Sequence, residues 1–299
     1  MKHPVKDWFL TTRPWSFPAS AMPVLATFAY MAWIASINNF SIDWINGVLA
    51  ILGIVFFHAS GNMISDINDY KKGVDAEHNS DMRPLVNGSF TVSEYKRLSG
   101  ILFVLGLTVG FIIMCRSCWP LLIAGVAGAV FTVTYSLFKY NALGDLVIFA
   151  SYALIPIMGT TYAVGYEYYA PALILALPIG LITVAILHVN NTRDIETDGQ
   201  VGIKTFAMLI GRNASITLYV IEILLPFLLV LVSILFGLLP IYSVITLLAL
   251  PKAWSNSRIM LSARKKGIEN IAPLDEATAQ LQLIFSLLLA VSLFLGTWL

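Results

Sequence analysis

Of 299 residues, 58% are hydrophobic and only 12% charged, which excludes an ordinary soluble domain, where about a quarter of residues carry charge. The net charge of +1 identifies no partner by itself, and neither a nucleic acid nor an obligatory protein partner is expected. Two cysteines, Cys115 and Cys118, are too few for a disulfide framework, and their C-x-x-C spacing lacks the second pair or His cluster of a zinc site.

Nine apolar runs are candidate membrane spans, at about 17–37, 43–66, 92–114, 119–138, 144–165, 171–192, 214–236, 239–260 and 278–298, each near the 20 residues a helix needs to cross lipid. They are too long for barrel strands, so the expected fold is all-α: one polytopic bundle of about nine transmembrane helices, a single domain over 1–299. Lys2, Lys6 and Arg13 precede the first run, which is longer than a signal-peptide core and reads as an uncleaved helix.

The second run closes on HASGNMISDINDYKKGVD, where Asn62, Asp66 and Asp69 fall within about 60° of arc on a helix. His58 sits one turn earlier on that face. Gly73 marks the expected helix end, and Asp75 follows it. A basic loop comes next, with Lys71, Lys72 and Arg83, and Lys96 and Arg97 enter the third run. Lys139 follows the fourth run. The sixth closes on HVNNTRDIETDGQ, in which Asn190, Asn191, Asp194 and Asp198 span about 100° of arc, and Arg193, Lys204 and Arg212 lie beside or after it. Pro251, Lys252 and Asn256 interrupt the eighth run.

Under this count every Lys and Arg except Arg116 falls on one side of the membrane. Positive residues favour the cytoplasm. The N-terminus and both acidic clusters are therefore expected to face it, with a central cavity open on that side.

Carboxylates crowded at the end of a membrane helix repel one another and lose hydration, which favours protonation. A hard cation relieves this, because Mg²⁺ binds one or two carboxylates together with substrate phosphate oxygens. The nearby cations Lys71, Lys72, Arg83, Lys139, Lys204 and Arg212 suit the remaining charge of a diphosphate.

The pairing of N-x-x-x-D-x-x-D with a later D-x-x-x-D, each ending a span, resembles the UbiA superfamily of intramembrane prenyltransferases. MRPLVNG at 82–88, YSLFK at 135–139 and GIKTFAMLIGR at 202–212 are similar to stretches that flank these motifs in the family, so the resemblance covers essentially the whole chain. NDYKKGVD at 68–75, NNTRDIETD at 190–198, ALGDLVIF at 142–149 and GTTYAV at 159–164 are most similar to the branch that prenylates 1,4-dihydroxy-2-naphthoate in menaquinone synthesis. Ser65 departs from the Asn common before the first Asp, and the RPL segment is more typical of ubiquinone-type branches.

The resemblance implies Mg²⁺-dependent transfer of a polyprenyl group from its diphosphate to an aromatic acceptor, in a bacterial cytoplasmic (inner) membrane. The acceptor would be 1,4-dihydroxy-2-naphthoate, with loss of CO₂, or alternatively another aromatic such as 4-hydroxybenzoate. Asp66, Asp69, Asp194 and Asp198 would be catalytic and, with Asn62 and Asn191, hold the metal. Asn62, Lys71, Lys72, Asp75, Arg83, Tyr135, Lys139, Asn191, Arg193 and Lys204 would bind substrate. Tyr135, Tyr152 and Tyr162 are candidates to present π-faces to an allylic cation. The rival from another class is a transporter, for which intramembrane carboxylates and Pro156, Pro171 and Pro178 would serve. Turnover of labelled polyprenyl diphosphate in detergent, without a gradient, separates the two.

Overall fold

The computed structural model describes residues 3–73, 84–200 and 202–298, and these are helical almost throughout. In chain order the helices are α1 (Val5–Leu10), α2 (Pro18–Asn38), α3 (Trp44–Lys72), α4 (Val92–Arg116), α5 (Leu121–Lys139), α6 (Gly144–Phe149), α7 (Ile155–Gly165), α8 (Ala176–Arg193), α9 (Ile195–Gln200), α10 (Phe206–Ile210), α11 (Arg212–Leu235), α12 (Leu250–Lys266) and α13 (Leu274–Gly296). A π-helical turn, Ala150–Leu154, joins α6 to α7 as one rod. Pro156 lies just past it. Proline lacks an N–H and displaces the carbonyl a turn earlier, which disturbs the local hydrogen-bond ladder. Tight turns Ala170–Leu175 and Ile241–Ala249 extend α8 and α12.

Local chemistry fixes the ends that matter for the site. Asp43 caps α3 by accepting the Asn46 N–H at 2.9 Å. The helix stops at Gly73, whose φ of 71° is left-handed and suits glycine. Thr91 and Glu94 form a reciprocal capping box that starts α4.

Eight rods among the described residues are long and apolar enough to cross a membrane. The run expected at 239–260 is not one of them, since Lys252, Arg258 and the basic tail Arg264, Lys265 and Lys266 dilute it. It crosses the bundle all the same. Ser243 Oγ meets Ser292 Oγ at 3.1 Å near the end of α13. At the other end Arg264 donates to Asn213 O at 3.1 Å and Thr217 Oγ1 at 2.6 Å at the start of α11. Its polar residues turn inward, with Asn256 and Ser257 buried.

The core is built from α2, α8, α11 and α13, where Ile179, Ile182, Tyr219, Ile223, Phe285 and Leu289 are buried together. Between helices in lipid, close packing drives association, because the tails are as apolar as leucine. Gly180 illustrates this: a Cβ there would lie 2.5 Å from the Phe149 ring, so glycine lets the α6 rod press against α8. In contrast α4 and α5 are peripheral and expose Phe111, Leu122 and Val126.

Candidate active site

A cavity of about 2380 Å³ opens between α3, α4, α5, the α6–α7 rod, α8 and the start of α13. Its two ends differ chemically. Away from the carboxylates its wall is glycine and apolar side chains of α4 and α5, including Gly106, Gly110, Gly125, Leu122 and Val126. Near the C-terminal ends of α3, α5 and α8 the wall carries Asp66, Asp69, Asp194, Glu196, Asp198, Glu269, Asp275 and Glu276, against the cations Arg13, Lys139 and Arg193. Acidic groups outnumber basic ones there.

The helical spacing of the first motif does place His58, Asn62, Asp66 and Asp69 on one wall. Asp66 is buried and ion-paired with Arg13, which comes from the turn before α2. Asp69 is buried, accepts from Lys139 Nζ at 3.2 Å and accepts from the Tyr140 hydroxyl at 2.6 Å. Asn62 Nδ2 donates to Thr12 O and Ser16 Oγ, both at 2.9 Å, and so pins the N-terminal segment over this wall. His58 accepts or donates at both nitrogens, with Ser20 Oγ at 2.8 Å and Ser16 Oγ at 3.2 Å.

The second motif sits where α8 gives way to α9. Arg193 grips both oxygens of Asp194, Nε to Oδ1 at 2.8 Å and Nη2 to Oδ2 at 2.9 Å, and its Nη1 lies 3.7 Å from Asp275 on α13. Burial, followed by the charge of Asp194, pushes the Asp198 carboxyl up to about 6. Lys139 pulls the other way, and the charge of Asp69 adds to the rise. Asp198 therefore feels the first motif across the cavity, and Lys139 stands between the two.

The other expected residues divide. Tyr135, Lys139, Asn191 and Arg193 line the cavity, as does Tyr152, whose ring meets His58 edge-on at 4.9 Å. Tyr162 does not line it and stacks on Tyr168. Lys71, Lys72 and Lys204 are exposed and off the wall. Lys72 Nζ lies 3.6 Å over the Tyr140 ring. The Lys204 backbone pairs with the turn after α5, its N–H donating to Tyr140 O at 3.2 Å while its carbonyl accepts from Ala142 at 2.7 Å. Asp75 and Arg83 lie outside the described residues. Sequence reasoning missed Arg13, which it counted only as a flanking charge, along with Tyr140, the partly buried Asp145 and the buried Glu222.

Among the described residues no three His, Cys, Asp or Glu side chains converge tightly enough to enclose an ion. Arg13, Lys139 and Arg193 hold three of the carboxylates instead. The donor set still fits a hard cation, which takes only one or two carboxylates when phosphate and water supply the rest. Asn190 Oδ1 supports this: it lines the same cavity, is buried and has no hydrogen-bond partner. A buried oxygen without a partner is unusual unless a ligand, ion or water meets it.

The sequence pattern of the UbiA prenyltransferase family matches residues 20–271. The chain belongs to that family. It is 33% identical to the UbiA prenyltransferase domain-containing protein 1 of Xenopus tropicalis, covering 96% of this chain and 81% of the relative. It is 32% identical to the Homo sapiens protein of that name, covering 97% and 84%. A UbiA homolog from Archaeoglobus fulgidus bound to GPP and Mg²⁺ has the same fold, with a TM-score of 0.68 at 18% identity over 96% of this chain and 98% of that one. The apo UbiA homolog from Aeropyrum pernix K1 gives 0.66 at 13% identity over 92% and 97%. The chain is thus an integral membrane prenyltransferase.

Proposed function

We propose that the protein transfers a polyprenyl group from its diphosphate to an aromatic acceptor, with Mg²⁺ as the cation. The observation that carries this reading is one cavity with two chemistries. Two acidic motifs from α3 and α8–α9 meet at its polar end, and the remainder is mostly apolar. A diphosphate headed by a long isoprenoid has the same division. That the Archaeoglobus fulgidus homolog binds GPP and Mg²⁺ supports it.

The metal would be held by Asp66, Asp69, Asp194 and Asp198 with Asn62 and Asn191, and when bound it supplies neutralising charge for the departing diphosphate. Arg13, Lys139 and Arg193 stand ready as direct donors to phosphate oxygens. Each is now paired with an Asp, so diphosphate binding exchanges one anionic partner for another. Lys71, Lys72 and Lys204, exposed outside the cavity wall, supply a surrounding positive field that draws the anionic donor in. The allylic carbon–oxygen bond breaks with its electron pair leaving on the diphosphate. The ring carbon of the acceptor then bonds to the allylic carbon, and the ring regains aromaticity by losing a proton or CO₂. Tyr135 and Tyr152 line the space below the carboxylates and present π-faces to the developing cation. The apolar walls of α4 and α5 keep water from quenching it.

Motif resemblance favours 1,4-dihydroxy-2-naphthoate as acceptor, in menaquinone synthesis at a bacterial inner membrane, with the site facing the cytoplasm. The test is purified protein with one labelled polyprenyl diphosphate and a panel of acceptors that includes 4-hydroxybenzoate, with products identified by mass. Prenylated, decarboxylated naphthoquinol is the expected product. A product from 4-hydroxybenzoate alone would reassign the acceptor, and no transfer to any aromatic would overturn the reading. A C-terminal reporter active only in the cytoplasm should stay silent.

A further inference from the structure

Asn191 is only 4% exposed, yet it lines the cavity. Its Nδ2 donates to Asp145 Oδ1 at 3.1 Å. An ionised carboxylate only accepts, so the amide nitrogen must be the atom turned towards Asp145. The amide oxygen is left on the other side and accepts no hydrogen bond within the described residues.

Asp145 is itself fixed from behind. Its Oδ2 meets His188 Nδ1 at 3.0 Å. His188 Nε2 faces the Ser215 carbonyl at 3.1 Å and the Ser215 hydroxyl at 2.7 Å. Ser215 Oγ bonds Thr192 Oγ1, which donates to His188 O at 2.7 Å. Glu222 Oε1 lies 3.8 Å from His188 Nδ1. Asp145, His188 and Ser215 lie off the cavity wall, and Asn191 joins them to it. Gly144 permits the approach: a Cβ there would come within 3.2 Å of Leu187 on α8. Apolar residues of the same volume would fill this space without desolvating ionisable groups, so the network's retained polarity points to orientation.

We infer that Asp145, held by His188, is a positioning residue that aims Asn191 Oδ1 at the metal–diphosphate site; this rests on the metal-dependent reading above. Partners that orient a metal ligand typically cost about 10–100-fold in metal affinity when removed.

The test uses the full chain in detergent with Mn²⁺ as probe and inorganic diphosphate present, following bound Mn²⁺ by electron paramagnetic resonance and stability by melting. Asp145→Ala should weaken Mn²⁺ binding about 10–100-fold. The control Tyr219→Phe removes the buried Tyr219–Thr278 hydrogen bond at 2.6 Å and should lower the melting temperature without moving Mn²⁺ affinity. A second pair of variants does not depend on Asp145→Ala folding. Asn191→Asp alone sets two carboxylates face to face and should weaken Mn²⁺ binding despite adding a ligand charge. Adding Asp145→Asn restores a donor opposite an acceptor and should recover most of the loss. If Asn191→Asp alone binds Mn²⁺ as tightly as the wild type, or the exchange recovers nothing, the positioning role is wrong. If the wild type binds no Mn²⁺ with diphosphate, the metal-dependent reading falls and this inference with it.

Discussion

Arg13 and Asp66 are ion-paired although 53 positions separate them in the chain. The pair ties the turn before α2 to the first acidic motif, and Arg13 adopts a left-handed φ of 55° there. Non-glycine residues rarely take that conformation without a compensating contact.

Arg13 is therefore expected to contribute to the transfer step as well as to folding. A charge-assisted hydrogen bond contributes about 1.5–3 kcal/mol, so Arg13→Ala should lower kcat/KM about ten- to a hundredfold. Arg13→Lys keeps the charge but not the fork and should recover only part of it. Steady-state kinetics with a soluble short-chain diphosphate would show this, and an unchanged kcat/KM in Arg13→Ala would remove the residue from the site.

Asp66→Ala and Asp194→Ala should each abolish turnover at saturating Mg²⁺ while the protein still inserts and melts cooperatively. Asp66→Ala also releases Arg13 from its ion pair, while Asp194→Ala leaves Arg193 with Asp275, 3.7 Å away. Chelation of the wild type should have the same effect on rate and be reversed by added Mg²⁺. Activity near the wild-type level in either variant would contradict the assignment.

The Asp198 carboxyl, raised to about 6, binds its proton more tightly in the folded metal-free protein than in the unfolded chain. Its charged form thus detracts from metal-free stability above that pH. Binding a cation must displace the proton. Affinity for Mg²⁺ should be full above about 6 and decline as pH falls through that value, approaching about tenfold per unit from this one group. Titrations at several pH values would test it, and Asp198→Asn should flatten the dependence.

Lys139 and Lys204 were equivalent as charges in the sequence, and the structure separates them. Lys139 stands between the motifs, whereas Lys204 offers its backbone to the turn after α5 and its side chain to solvent. Lys139→Ala should cost about ten- to a hundredfold in rate. Lys204→Ala should behave like the interfacial control Lys96→Ala with Arg97→Ala, close to wild type. Equal losses in all three would mean a diffuse basic field in place of a clamp.

The contrast shows what a sequence makes legible. Helical spacing alone put Asn62, Asp66 and Asp69 on one face, and the cavity is where that face points. Hydropathy found the rods, including the interrupted run at 239–260, whose polar Asn256 and Ser257 are turned inward. Partners distant in sequence stayed hidden. Nothing local distinguishes Arg13 from any charge flanking a membrane helix. Asp145 is the second residue of a six-residue helix and looks like an ordinary first-turn acid, while its bonds to Asn191 and His188 arise where the α6 rod packs closely against α8.

The charge asymmetry had one exception, Arg116, and the structure gives it an occupation. Its guanidinium donates to Asn46 Oδ1 at 2.8 Å and Asp43 Oδ2 at 2.9 Å, and Asp43 also accepts from the Tyr166 hydroxyl at 3.1 Å. Burial raises the Asp43 carboxyl, but the Asn46 N–H, Tyr166 and Arg116 outweigh it and hold it below the usual range. This clasp fastens the starts and ends of α3, α4 and α7 at the pole opposite the carboxylates. Of the rods, α4 and α5 are the least buried, and the clasp ties one end of α4 to α3 and α7. Admission of a bulky lipid is then expected to move α4 about its clasped Arg116 end. Spin labels on α4 and α8 should separate far more near the carboxylates than near Arg116 when a diphosphate lipid enters, and Arg116→Ala should erase that gradient.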